Sequence, residues 1–324
     1  MLSPDTSVFE FRSKIEAKEI KIQEKELQNY YTRIIAIIVS IVLILVAVLI
    51  YRNYRIKSKA NFELAEINAI LDEKNHDIMS NIEYAKKIQE AILPSKETIL
   101  HIIPDSFNLY LPKDVVSGDF YWVHKDKSAS YFAAVDCTGH GVSGAFMSII
   151  GLTLLDELIV KQGIKELDKV LYEMREYIIK SLHQTGEAGE ARDGMDIAIC
   201  KLSGKKIEFA GAHNPLLIIR KKEIKEIKGD QQPIGFYTGD KAPFTKHEFD
   251  LEKGDMIYMF SDGYQDQFGG PKGKKYMAGK FKKLLLRISD QTCAEQFNAL
   301  SEELQSWKGD YEQVDDICVM GVRV

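Results

Sequence analysis

Aspartates placed at the ends of apolar runs are the residues of this chain best suited to chemistry. Asp119 stands just before FYWV, Asp136 just after YFAAV, Asp262 just after MIYMF with Ser261 between, and Asp315 with Asp316 just before ICVMGV. Two of these positions end a run and two begin one. If the runs are neighbouring antiparallel strands, all four positions fall on one edge of a sheet. Carboxylates crowded together away from water repel strongly, and hard divalent cations with oxygen ligands relieve that repulsion. Magnesium or manganese suits such a set. Zinc would recruit His or Cys, and an EF-hand would gather its acids in a single loop. Neither pattern is present. Taken singly, each of these aspartates is an ordinary turn or helix-cap residue; their joint placement is what points to metal.

Glycines accompany the acids. Gly118 removes a side chain beside Asp119, and Gly139 and Gly141 flank His140 in DCTGHG, allowing positive φ in a tight passage from strand to helix. A helix beginning near Val142 would aim its N-terminal amides at the same edge, where they favour an anion.

The elements that must position these residues are short apolar runs broken by Gly and Asp. Residues 107–111, 120–123, 131–135, 195–202, 207–210, 216–219, 256–260 and 317–322 read as strands, many of them apolar on both faces. Helical periodicity appears over 142–160, 164–183, 280–288 and 293–307. The class is α+β with a large sheet system sandwiched between layers.

Upstream the chain has a different character. Residues 34–50, IIAIIVSIVLILVAVLI, form an uncharged apolar run close to the lower length limit for one bilayer-spanning helix. Tyr30, Tyr31, Tyr51 and Tyr54 flank it at the interfacial positions. Arg52, Arg55, Lys57 and Lys59 follow directly, which places the C-terminal side in the cytoplasm. A cleaved signal peptide does not fit, because the run starts far from Met1 with no small-residue cleavage site after it. The competing reading is a buried helix of a soluble domain. Beyond the span, Leu64, Ile67, Leu71, Lys74, Ile78, Asn81, Ala85, Ile88 and Ile92 alternate three and four apart, the spacing of a coiled-coil seam with two polar steps. A single amphipathic helix lying on its own domain has the same pattern. Pro94 ends it. The expected organisation is a short N-terminal segment (1–33), a transmembrane helix (34–51), a helical linker (52–93) and a globular domain (94–324), membrane-bound by a single pass with the domain cytoplasmic. A homodimer through 64–92 goes with the seam.

Composition narrows the function. With 45% hydrophobic residues the chain has a real core, and 43 basic against 48 acidic residues, a net charge of -5, gives no support to nucleic-acid binding. The cysteines, Cys137, Cys200, Cys293 and Cys318, form no CxxC pair, so neither a disulfide framework nor a zinc ribbon is expected and a reducing compartment fits.

Six segments in order, VSGDFYW, AAVDCTGHGVSGAFMS, DGMDIAIC, FAGAHNP, MFSDGYQDQFGG and VDDICVMGV, resemble the metal-dependent serine/threonine phosphatases of the PPM (protein phosphatase 2C) class, in particular the bacterial SpoIIE/RsbU branch. The likeness covers about residues 93–324. It implies an αββα sandwich around a centre of two Mg²⁺ or Mn²⁺ ions. By the match, Asp136 bridges both ions, the carbonyl of Cys137 contacts one, Asp262 and Asp315 bind the other, and Asp119 supports a water on the metal. Asp316 is left as the neighbour of Asp315.

The activity so implied is hydrolysis of a phosphoserine or phosphothreonine on a bacterial signalling protein, without a covalent phosphoenzyme. A catalytically silent scaffold binding a partner through the same surface is the alternative. His140 has two readings, proton donor or turn stabiliser. Lys113 reads as a phosphate ligand standing in for an arginine clamp or as a solvated lysine, and His213 with Asn214 in AGAHNP as turn residues or as substrate-facing ones. The Gly- and Lys-rich stretch after Asp262 reads as a substrate-docking flap or as a plain surface loop.

Overall fold

Alternating apolar side chains and Gly- or Pro-broken connections give this chain two antiparallel sheets, with helices outside them. The computed structural model describes residues 4–187, 192–239 and 242–324. In order these are α1 (Pro4–Ile92), α2 (Lys96–Ile102), β1 (Ser106–Leu111), β2 (Phe120–Lys125), β3 (Ser130–Cys137) and α3 (Gly141–Leu155), which continues as a π-helical stretch over Asp156–Lys161. Then come α4 (Leu167–Ser181), β4 (Met195–Ser203), β5 (Lys206–Ala212), β6 (Leu216–Arg220), β7 (Glu223–Ile227), β8 (His247–Asp250) and β9 (Met256–Phe260). Last are α5 (Gly263–Asp266), β10 (Phe268–Gly269), β11 (Lys274–Lys275), α6 (Ala278–Ile288), α7 (Cys293–Lys308) and β12 (Ile317–Arg323).

The chain divides into two units after Asp77. The first is α1 up to that residue; Met1–Ser3 of the N-terminal segment lie outside the described residues. Every residue of 35–50 is exposed along it, an apolar surface that water does not favour. The polar stretch that follows carries only exposed ion pairs, Lys59–Glu63 and Lys74–Asp77, which contribute little.

The second unit runs from Ile78 to Val324. In it α1 stops at Ile92, two residues before Pro94, and Ser95 caps α2 by accepting the amide of Thr98. One sheet has the order β1-β12-β9-β6-β7 and the other β2-β3-β4-β5-β8, antiparallel throughout. Phe132, Ala134, Ala198 and Cys200 of one sheet meet Ile218, Ile257, Met259 and Met320 of the other in the central core. The outer face of the β2–β8 sheet packs on α3 and α4 through Phe120, Val135, Leu155, Leu171 and Met174. The outer face of the β1–β7 sheet packs on α6 and α7 through Tyr258, Phe260, Phe281 and Leu300. The four layers are those of the αββα sandwich, and the α+β expectation holds.

α3 with its π-helical continuation is long and apolar enough to cross a membrane, but 56% of that window is buried, as befits a core helix. β7 and β8 escape the sequence pattern. Both are edge strands, and alternate or exposed polar residues such as Glu223, Lys225, Glu248 and Asp250 replace the apolar run that marks an inner strand.

Candidate metal and active site

The acids come from two sheets, not from one edge of a single sheet as their spacing suggested. β2 and β3 are antiparallel, and Phe120 pairs with Val135, which sets Asp119 opposite Asp136. β9 and β12 are antiparallel in the other sheet, and Phe260 pairs with Val319, which brings Asp262 and the Asp315–Asp316 pair to the same end. The strand-end logic holds within each sheet. What the sequence could not show is that the two strand pairs face each other across the central core.

Asp136 lies in β3 directly opposite Asp196 of β4. Burial pushes the Asp136 carboxyl well above the usual range, and Asp262, Asp196 and Asp315 push it further, against a main-chain hydrogen bond from Asp262. Asp119 is 2% exposed and is likewise held well up, by burial first and then by Asp136, with the hydroxyl of Ser261 opposing. Its Oδ2 is buried without a hydrogen-bond partner. Asp262 stands at the N-terminus of α5 and opens to solvent, yet the surrounding protein pushes its carboxyl up to about 6, with Asp266 and Asp315 adding to the shift and Lys275 working against it.

Asp315 and Asp316 differ sharply. Both carboxylate oxygens of the buried Asp316 accept main-chain amides, Lys113 N and Gly118 N, each at 2.7 Å. Among the described residues, the Asp315 carboxylate accepts only the amide of Asp316, at 2.9 Å. Asp316 therefore fixes the loop leading to Asp119, and Asp315 keeps capacity for another partner. Cys137, at the end of β3, is buried and its thiol is pushed well up by desolvation, so its side chain is inert. Its carbonyl lies beside Gly118: a Cβ there would sit 3.3 Å from that oxygen and would collide with the carbonyl of Gly139. The close approach requires glycine.

Asp196 went unrecognised as a site residue. It stands one residue inside β4, where an acid reads as the polar step of an alternating strand, although the acid in DGMDIAIC borders an apolar run as the others do. His140 precedes α3 and its Nδ1 lies 2.7 Å from Oδ2 of Asp114, both exposed. The segment after Asp262 is folded onto Trp307. β10 and β11 form a hairpin, the amide of Gly270 donates to the Trp307 carbonyl at 2.8 Å, and Trp307 Nε1 donates to Gln267 O at 3.0 Å.

Among the described residues no three acidic, His or Cys groups stand close enough to close around an ion as they are arranged. The donors are nevertheless all carboxylate or carbonyl oxygens, they raise one another's proton affinity, and one buried carboxylate oxygen has no donor. A buried acceptor without a partner is costly, and a divalent cation is one partner that would satisfy it. The residues fit a hard divalent ion.

Known proteins resemble this chain in sequence and fold. The family described as Stage II sporulation protein E (SpoIIE) matches residues 126–324. Phosphoserine phosphatase RsbU of Bacillus subtilis (strain 168) is 29% identical over 195 residues, 58% of this chain and 54% of that protein, so the chain spans about half the length of this curated relative. The solved SiaA-PP2C domain of Pseudomonas aeruginosa superposes with a TM-score of 0.69 at 29% identity, over 77% of this chain and 98% of that one. The PP2C phosphatase domain of SpoIIE from Bacillus subtilis, solved with a fragment of its regulatory domain, shares the fold at a TM-score of 0.54 and 22% identity, over 68% of this chain and 63% of its own. Since the matched stretch is well over half of its residues, the chain belongs to the SpoIIE family, and its sandwich is a PPM-type phosphatase domain.

Proposed function

We propose that the chain is a membrane-anchored, metal-dependent phosphatase acting on phosphoserine or phosphothreonine of a signalling protein. The observation that carries this is the electrostatic coupling of Asp119 and Asp136 from one sheet with Asp262 and Asp315 from the other, together with a buried Asp119 oxygen that has no hydrogen-bond partner. The relative named a phosphoserine phosphatase supports the same chemistry. A catalytically silent scaffold is not favoured, because a partner-binding surface has no need of buried carboxylates that raise one another's pKa.

Asp136, Asp119, Asp262, Asp315 and the Cys137 carbonyl would hold two Mn²⁺ or Mg²⁺ ions. Such ions activate a water molecule and offset charge on phosphoryl oxygens. The chain's own part is to hold that set. Asp316 locks the 113–118 loop so that Asp119 enters from the start of β2, and the glycine contact of Gly118 with the 137–139 backbone lets the two strands approach. The apolar residues of 34–50 would anchor the chain, and the seam from Leu64 to Ile92, exposed along most of its length in the single chain, would pair two copies.

The test is hydrolysis of a phosphoserine peptide by the full chain in detergent micelles. Turnover should require Mn²⁺ or Mg²⁺, stop with chelator, and fall by about 10³-fold or more in Asp136→Asn without loss of folding. Metal-independent turnover, or an Asp136→Asn variant as active as the parent, refutes the proposal.

A further inference from the structure

The row of side chains across the β2–β8 sheet does not end at Asp196. Asp136 pairs with Asp196, and Ile197 pairs with Ala212, the last residue of β5, so His213 follows directly where that ladder ends, next to Asp196. The alternation that puts Ala134 and Ala198 in the central core puts Asp136 and Asp196 on that face as well, and the electrostatic interaction of the His213 ring with the Asp196 carboxyl sets the ring beside it, just past the end of β5. Asp119, Asp136, Asp196 and His213 thus follow one another across the ends of four neighbouring strands, each interacting electrostatically with or paired to the next: three acids and then an imidazole.

Three observations set His213 apart from a plain turn residue. Its φ is +55°, a left-handed conformation that a non-glycine side chain rarely adopts. Its amide donates to Asp230 O at 2.8 Å and the next residue, Asn214, is buried with its side-chain amide on Asp196 O at 3.1 Å, so the backbone holds the ring at the acid end of the sheet. Neither ring nitrogen has a hydrogen-bond partner among the described residues, although the ring lies within electrostatic reach of the Asp196 carboxyl.

We propose that His213 is a phosphate-binding residue: its ring N–H donates to a phosphoryl oxygen of the bound phosphoserine, and Asp196 is its neighbour across the strand ends and not a metal ligand. This deepens the phosphatase reading and rests on it. Two strand spacings, roughly 10 Å, separate His213 from Asp136, which leaves room between them for an ion and a phosphoryl group. The site has no other unpaired donor in this row, and Lys275 on the opposite side is already bonded to Asp266 at 2.6 Å.

Binding of inorganic phosphate to the full, Mn²⁺-loaded chain in micelles, measured by calorimetry, tests this without relying on turnover. His213→Gly suits the positive φ and removes the donor; His213→Asn tolerates the same conformation and keeps an N–H donor. His213→Gly should weaken phosphate binding at least about tenfold and raise KM for the phosphopeptide, with unchanged Mn²⁺ affinity and thermal midpoint, and His213→Asn should recover much of the loss. Phosphate affinity equal to the parent in His213→Gly overturns the inference, as does a loss traced wholly to weaker Mn²⁺ binding. A parent chain that binds phosphate through His213 but never hydrolyses a phosphopeptide would leave this inference standing and remove the phosphatase reading instead.

Discussion

At the scale of single residues, adjacent acids have opposite duties. Asp316 spends both oxygens on the amides of Lys113 and Gly118, so Asp316→Asn should cost about 2 kcal/mol, or several degrees in the thermal midpoint of the domain, and should disturb Asp119 only indirectly. Asp315→Asn should leave the midpoint of the metal-free chain nearly unchanged and weaken Mn²⁺ binding by tenfold or more. The reverse pattern would make Asp316 the ligand. A pH effect follows from the same cluster. Asp119, Asp136 and Asp262 have folded-state pKa values raised above their unfolded values, so the native state binds more protons than the unfolded chain. Without divalent ions, stability should therefore be greatest near the ordinary carboxylate pKa of about 4 and fall as pH rises through about 6, where Asp262 titrates. Carboxylates held low, such as Asp126 and Asp255, act in the other direction, and their contribution is lost only as pH falls below that range. Unfolding followed by the fluorescence of Trp122 and Trp307, both in the domain, should give a lower midpoint at pH 7.5 than at pH 5.5 in chelator, and added Mn²⁺ should close the gap. A midpoint that rises over that interval in chelator would contradict the raised values.

At the scale of elements, the end of α1 holds the loop that delivers Asp119. Gln89, buried near the helix C-terminus, donates from Nε2 to Ser117 O at 2.7 Å and to Ser148 Oγ at 2.8 Å, and its Oε1 accepts the amide of Ser117 at 3.1 Å. Ser117 lies two residues before Asp119. Gln89→Ala would leave that buried amide and carbonyl without partners, a loss of about 1–3 kcal/mol. Phosphopeptide turnover should fall several-fold while the helical circular dichroism stays the same; an unaffected kcat/KM would show that the loop keeps its place without the clamp. Gln89 was hidden in sequence, because its neighbours Ile88 and Ile92 dominate the periodic pattern while the buried contact is made by the polar residue between them. The limits of sequence reading have one cause elsewhere too. Acids at strand ends were visible because a strand end is a local event, and Asp119, Asp136, Asp262 and Asp315 stand there. Asp196 and its place beside His213 depend on register between strands, which no local spacing encodes. The division of the acids between two sheets was equally invisible, since antiparallel pairing in one sheet and packing of two sheets place strand ends together in the same way.

At the scale of the whole molecule, the apolar run and the acidic cluster call for different surroundings. Residues 35–50 are exposed along α1, unlike α3 of the domain, which buries most of its apolar residues against the sheet. In the proposed anchoring, a bilayer would supply the missing cover. Arginine at the middle of a spanning helix costs about 2.5–3.5 kcal/mol on insertion scales, so Val42→Arg combined with Leu45→Arg should shift the chain from the membrane pellet to the soluble fraction, whereas Val42→Leu should not. The basic residues next to the run, Arg52, Arg55, Lys57 and Lys59, lie on the side of the domain. Protease added outside intact bacterial cells should therefore leave the domain uncut until the cells are opened. Release of the unaltered chain by alkaline carbonate washing would remove the anchor, and cleavage of the domain in intact cells would reverse the orientation. The second outcome would also bear on substrate, because a domain outside the cell would not meet cytoplasmic phosphoproteins, and the anchor would then separate this active site from the substrates proposed for it.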